Sequence, residues 1–153
     1  MQTLYQIMVV IHVVSAILGM GPGFFLTAIV SNAKTMGELQ HGFQIRRRLH
    51  GFVMAGGLLL LASGLIMGII RPSLFTETWY AASLLLFIIA LAFGAFVLKP
   101  LSQPIYSLLA EHKGDEIPPE YNQHAQKLFF YERITNFIFI IIILLMITKP
   151  NIT

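Results

Sequence analysis

The chain has 153 residues, 56% of them hydrophobic and 11% charged, and a mean hydropathy of +0.76. A soluble domain carries about 25% charged residues, so the composition excludes one and points to a single integral membrane domain. The formal net charge of +3 comes from basic residues at the ends of apolar runs, not from a nucleic-acid-binding patch, and the lack of cysteine rules out disulfides and thiolate metal sites.

A bilayer core needs about 20 mostly apolar residues in a helix. The first predicted span covers about residues 4–30. It lacks a basic leader and a small-residue cleavage site, so it is expected to remain as a span rather than act as a signal peptide. Ser15, Gly19 and Gly23 recur every four residues and form one stripe, the kind of surface through which helices approach closely in lipid. Met8 and His12 extend that stripe, with Tyr5 close by, so the imidazole is expected to point into the bundle. Two roles fit it. It can be a packing hydrogen-bond partner, worth about 0.6 kcal/mol. It can also ligate a metal or a haem iron, since ionisable groups inside spans are functional candidates. The Met8–His12 spacing of one turn adds a third idea, a soft site for Cu(I).

The second span is predicted at about residues 51–70, after the run Arg46-Arg47-Arg48. Gly57, Gly64 and Gly68 are its small residues, and the last two make a GxxxG pair suited to helix pairing, including a homodimer. His50 and Met54 repeat the Met8–His12 spacing. His12 and His50 should lie roughly 20 Å apart along the membrane normal, so they should not share one iron. Pro72 ends this span. The short connection that follows makes the second and third spans expected neighbours.

Trp79 and Tyr80 open the third span, about residues 79–98, where amphipathic rings favour the headgroup level. Ser83, Ala90 and Gly94 share roughly one face. Pro100 and Pro104 are expected to interrupt the helix. The polar stretch EHKGDEIPPEYNQH reads as a solvated loop, and His41, His112 and His124 as loop residues. The fourth span is expected at about residues 128–148. Glu132, Arg133 and Asn136 lie near its start. Glu132 is expected to pair with one of the three arginines, and Asn136 to hydrogen-bond a facing helix. Beyond Asn136 the residues are Phe, Ile, Leu and Met, so this helix is expected to be the most lipid-exposed.

The connections alternate in charge. The first holds Lys34 and Arg46 to Arg48, and the third holds Lys99, Lys113, Lys127 and Arg133; the second has only Arg71 and the C-terminal tail only Lys149. The positive-inside rule therefore puts the first and third connections in the cytoplasm and both termini outside. The reading is an all-α, four-helix transmembrane bundle in a bacterial inner membrane. The sequence holds no phosphate-cradling glycine loop, nucleophile elbow or HExxH.

These features together resemble a superfamily of small bacterial four-helix membrane proteins. It contains the HemJ-type protoporphyrinogen oxidases and the CopD-type copper-resistance domain. The resemblance rests on His12 in the first helix, on Arg47-Arg48-Leu49 before the second and Gly64-Leu65 late in it, and on Trp79 opening the third. It rests also on the R-x-x-N motif, Arg133 to Asn136, and on the closing Lys149-Pro150. The closest pattern is a subfamily with H…GxGP in the first helix. The resemblance implies that His12 is an axial ligand of haem b. It implies a lysine as the second ligand, where this chain has Ser83. The N-E-x-P of HemJ-type proteins is replaced by Asn136-Phe137 with Phe139 at the proline position, and the late first-helix arginine is missing from FFLTAIV. Those departures count against protoporphyrinogen oxidation and leave single-ligand haem binding. Copper or small-solute handling, and an accessory subunit without cofactor, are the alternatives.

Overall fold

The computed structural model describes residues 2–150. Helix α1 spans Gln2–Met20, α2 Leu26–Ser31, α3 Met36–Ile70, α4 Thr78–Phe93, α5 Lys99–Glu111 and α6 Pro119–Thr148. Among the described residues there is no strand. Four long helical runs, Gln2–Ser31, Met36–Ile70, Thr78–Glu111 and Pro119–Thr148, are long and apolar enough to cross a membrane. At 1.5 Å per residue, the 35 residues of α3 reach about 52 Å, well beyond a hydrocarbon core of about 30 Å.

The excess length lies at one end. The predicted start of the second span near Gly51 and of the fourth near Leu128 marks only where the apolar composition begins. The helices themselves begin at Met36 and Pro119. His41 and His124 consequently sit on helices, not in loops, and the solvated connection shrinks to the residues between Glu111 and Pro119. Amphipathic packing explains this. Met36, Leu39, Phe43, Ile105, Leu109, Tyr121, Ala125 and Leu128 bury together with Val30 as one core, and four helices, α2, α3, α5 and α6, share it. The entry to α3 is capped reciprocally. Thr35 Oγ1 accepts from Glu38 N–H at 3.2 Å, and Glu38 Oε2 accepts from Lys34 N–H at 2.8 Å. The Met36 N–H donates to Asp115 O at 2.9 Å, and Gln40 Nε2 donates to Leu109 O at 2.9 Å.

The first and third spans are each bent internally. Pro22 has no N–H, and residues Pro22–Phe25 tighten into a 3-10 turn between α1 and α2. Gly23 thereby leaves the Ser15–Gly19 stripe and faces α6, where its carbonyl accepts from Asn136 Nδ2 at 3.4 Å. Pro100 and Pro104 do not interrupt the third run. A π turn at Gly94–Leu98 precedes Pro100 and re-spaces the ladder, and α5 continues with Pro104 inside it. Pro72 does close α3, which ends at Ile70 and passes into a 3-10 turn.

The helices form two close pairs, α1 on α3 and α4 on α6. Backbones touch where α1 crosses α3: a Cβ at Gly19 would lie 2.7 Å from Gly57 N, and one at Gly56 would lie 2.7 Å from Gly19 Cα. The expected neighbours α3 and α4 meet mainly through side chains, with Phe87 and Leu91 above Gly57. The GxxxG pair makes room for side chains rather than for a second backbone. Gly68 admits the Tyr80 hydroxyl and the Phe75 ring, and Gly64 admits His12. That face is therefore filled within the protomer. The third run, at 17% buried, is more exposed than the fourth at 28%, opposite to expectation, because α6 supplies Phe139 and Ile142 to the span core with Met20, Leu60, Phe87 and Ala90.

Candidate functional site

His12 lies on the face of α1 that meets α3. Its Nδ1 is 2.9 Å from Ser63 Oγ. Ser63 has a single hydroxyl proton, and its own helix offers two acceptors for it, Leu59 O at 2.7 Å and Leu60 O at 3.1 Å. With the proton so placed, Ser63 Oγ accepts from Nδ1–H, the tautomer that leaves Nε2 a free lone pair. This is the arrangement in which a histidine ligates: one nitrogen oriented by a hydrogen bond, the other available. The lack of a side chain at Gly64 is part of the site, since a Cβ there would stand 3.3 Å from His12 Cε1. His50 is roughly 20 Å further along α3 from Ser63 at the helical rise, so His12 and His50 do not converge.

Between the two helix pairs is a cavity of about 640 Å³, within the ~300–1,000 Å³ typical of ligand sites. Its wall takes residues from α1, α3, α4 and α6 and is apolar almost throughout, with Ala16, Leu60, Phe87 and Ile142 among them. His12 is on this wall, and so is Ser83. The Ser83 side chain is 1% exposed, and its hydroxyl finds no partner among the described residues. An orphaned hydroxyl on an apolar wall is a costly group unless something in the cavity satisfies it. Tyr5, Leu74, Trp79 and Lys149 border the cavity towards the end that carries both termini.

Met8, one turn before His12 on α1, is not among the residues lining the cavity, whereas Met20, Met67 and Met146 are; Met20 is roughly 12 Å along α1 from His12. Among the described residues, no three His, Cys, Asp or Glu side chains gather as a metal site.

The charged residues expected near the fourth span form a separate structure at the basic end. Glu132 is buried and forms a salt bridge with Arg46, which is also buried. Arg46 further donates to Leu26 O, and Thr27 Oγ1 donates to Glu132 Oε2 at 2.7 Å. The guanidinium sits 5.2 Å from the Phe43 ring centroid and 5.9 Å from that of Phe129. This cluster ties α2, α3 and α6 together. Arg133 is exposed and takes no part in it. Ser15 and Gly19 are buried along α1 as expected. Sequence reasoning missed Ser63, Gly56 and Thr27, none of which belongs to a motif; only their positions opposite His12, Gly19 and Glu132 give them meaning.

Over residues 6–150 the chain matches the family described as "Predicted integral membrane protein (DUF2269)". That range is nearly the whole chain, and the chain belongs to this family. No curated protein and no solved structure matches it.

Proposed function

We propose that this member of the predicted integral membrane protein family binds haem b in the cavity between its helix pairs, with His12 Nε2 as the one protein ligand to iron. The observation that carries the reading is a histidine on the wall of an apolar cavity of about 640 Å³, with Nδ1 tied to Ser63 Oγ at 2.9 Å. When bound, haem b would supply a redox-active iron. The residues present suit it. The apolar wall accepts a macrocycle, and Ser63 holds the imidazole plane and raises the basicity of the ligating nitrogen. The Ser83 hydroxyl, without a partner among the described residues, would donate a hydrogen bond to a polar group held in the cavity. The proposal includes a distant kinship with the HemJ/CopD-like superfamily. In its support, Ser83, at the position of the second ligand in HemJ-type proteins, lies on the same cavity as His12. It also includes residence in a bacterial inner membrane with the basic end in the cytoplasm, supported by the charge asymmetry.

The test is the visible spectrum of the detergent-purified protein, oxidised and reduced, beside His12→Ala. A Soret band that disappears with the histidine supports the reading. A colourless protein that also fails to take up haemin rules it out, and His12 is then a packing residue bound to Ser63.

A further inference from the structure

Of the ten basic residues, eight follow the positive-inside rule: Lys34, Arg46, Arg47, Arg48, Lys99, Lys113, Lys127 and Arg133 belong to the basic end. The rule does not account for Arg71 and Lys149. Both are found at the opposite end, each held on an aromatic ring. The Arg71 guanidinium carbon is 4.0 Å from the Tyr5 ring centroid, and Lys149 Nζ is 5.4 Å from that of Trp79. Those rings are part of the cavity wall, as is Lys149 itself. Lys149 also has left-handed backbone, φ 43°, closing α6 with its N–H on Leu145 O. That conformation is uncommon for a residue with a side chain. Neither cation has a carboxylate partner among the described residues. An apolar cavity thus has one cation, Lys149, on its wall, and a second, Arg71, stacked on the wall residue Tyr5.

We propose that the cavity selects an amphiphile that has a carboxylate end, with its apolar body between the helix pairs and its acid end turned to Arg71 and Lys149. The inference rests on the cavity being a ligand site, and it names the ligand class and its orientation. Haem b, whose two propionates share one edge, is one molecule of this class. A neutral macrocycle or a simple hydrocarbon is not. Arginine offers a carboxylate a bidentate fork and lysine a point charge.

The experiment compares haemin with haemin dimethyl ester, titrated into the protein in phosphatidylcholine nanodiscs. The proteins are the wild type, Arg71→Gln/Lys149→Gln, and the conservative Arg71→Lys/Lys149→Arg. The wild type is expected to bind the diacid at least about tenfold more tightly than the diester. The neutral double variant should lose that preference while keeping its affinity for the ester, and the conservative variant should retain most of it. Equal binding of acid and ester by the wild type, or a preference that survives in the neutral variant, overturns the proposal and leaves Arg71 and Lys149 as headgroup contacts. If neither porphyrin binds, the haem reading fails by itself. A pyrene-labelled fatty acid and its methyl ester then decide this proposal by the same criterion: a preference for the acid that the neutral variant lacks supports it, and equal retention overturns it.

Discussion

At the level of single residues, the site turns on where one proton sits. With the Ser63 hydroxyl donating to α3, its oxygen is left to accept from His12 Nδ1, 2.9 Å away. Replacing Ser63 with alanine leaves the imidazole free to rotate and to change tautomer. The expected result is a loss of haem affinity of about 10- to 100-fold, the usual effect of removing an outer-shell partner, with the Soret band still present at saturating haemin. The titration midpoint measures this. His12 itself was legible in the sequence, because a titratable ring on a stripe of small residues has to point inward. Ser63 was not legible. A serine in LASGLIMG satisfies itself by bonding back to its own helix, and nothing in that segment announces a partner on another helix. The Arg46–Glu132 pair was legible in kind, since a carboxylate at the edge of a span needs a cation. Which of three adjacent arginines would serve depended on the phase of a helix that begins well before its apolar part. Glu132→Gln should destabilise the purified protein by about 3–5 kcal/mol, because it strands a buried guanidinium. The double variant Arg46→Met/Glu132→Leu should recover most of that loss. Thermal melting in one detergent compares the two.

Between elements, the glycines divide into three kinds of work that the sequence does not distinguish. Gly19 and Gly56 let two backbones touch. Gly64 and Gly68 make pockets for rings. A Cβ at Gly51 or Gly94 would meet nothing within 4 Å. The substitution Gly56→Ala should therefore force α1 and α3 apart, at a cost of about 1–3 kcal/mol. Gly51→Ala should stabilise α3 by up to about 1 kcal/mol through helix propensity alone. Opposite shifts in melting temperature for two alanines five residues apart would confirm the assignment. Apolar run length misplaces the starts of α3 and α6 for a physical reason: hydropathy detects what lipid will accept, whereas these helices continue on the strength of a shared apolar face in water. The T-x-x-E cap at Thr35 is a start signal in the sequence, hidden by the polar residues that follow it.

For the molecule as a whole, the four-helix transmembrane architecture was readable from apolar run length alone, since backbone groups in lipid must be satisfied within the helix. The arrangement in two pairs was not. Connection length suggested that α3 and α4 would pack directly, and the cavity has room because they do so mainly through side chains. The two ends of the bundle are built differently. At the basic end an aromatic-rich core, a buried ion pair and loop hydrogen bonds join every span. At the terminal end the pairs are held apart by a cavity. Nitroxide label pairs across the first and third runs, α2 to α5 at the basic end and α1 to α4 at the other, should report this contrast: a narrow distance distribution at the basic end, a broader one at the other, and narrowing there when the cavity is filled. The bundle is in effect a pair of tongs riveted at the handle. On the proposed reading, a lipophilic cargo would enter sideways from the leaflet at the terminal end and leave by the same route while the riveted half keeps its shape, with no passage through the membrane needed at any stage.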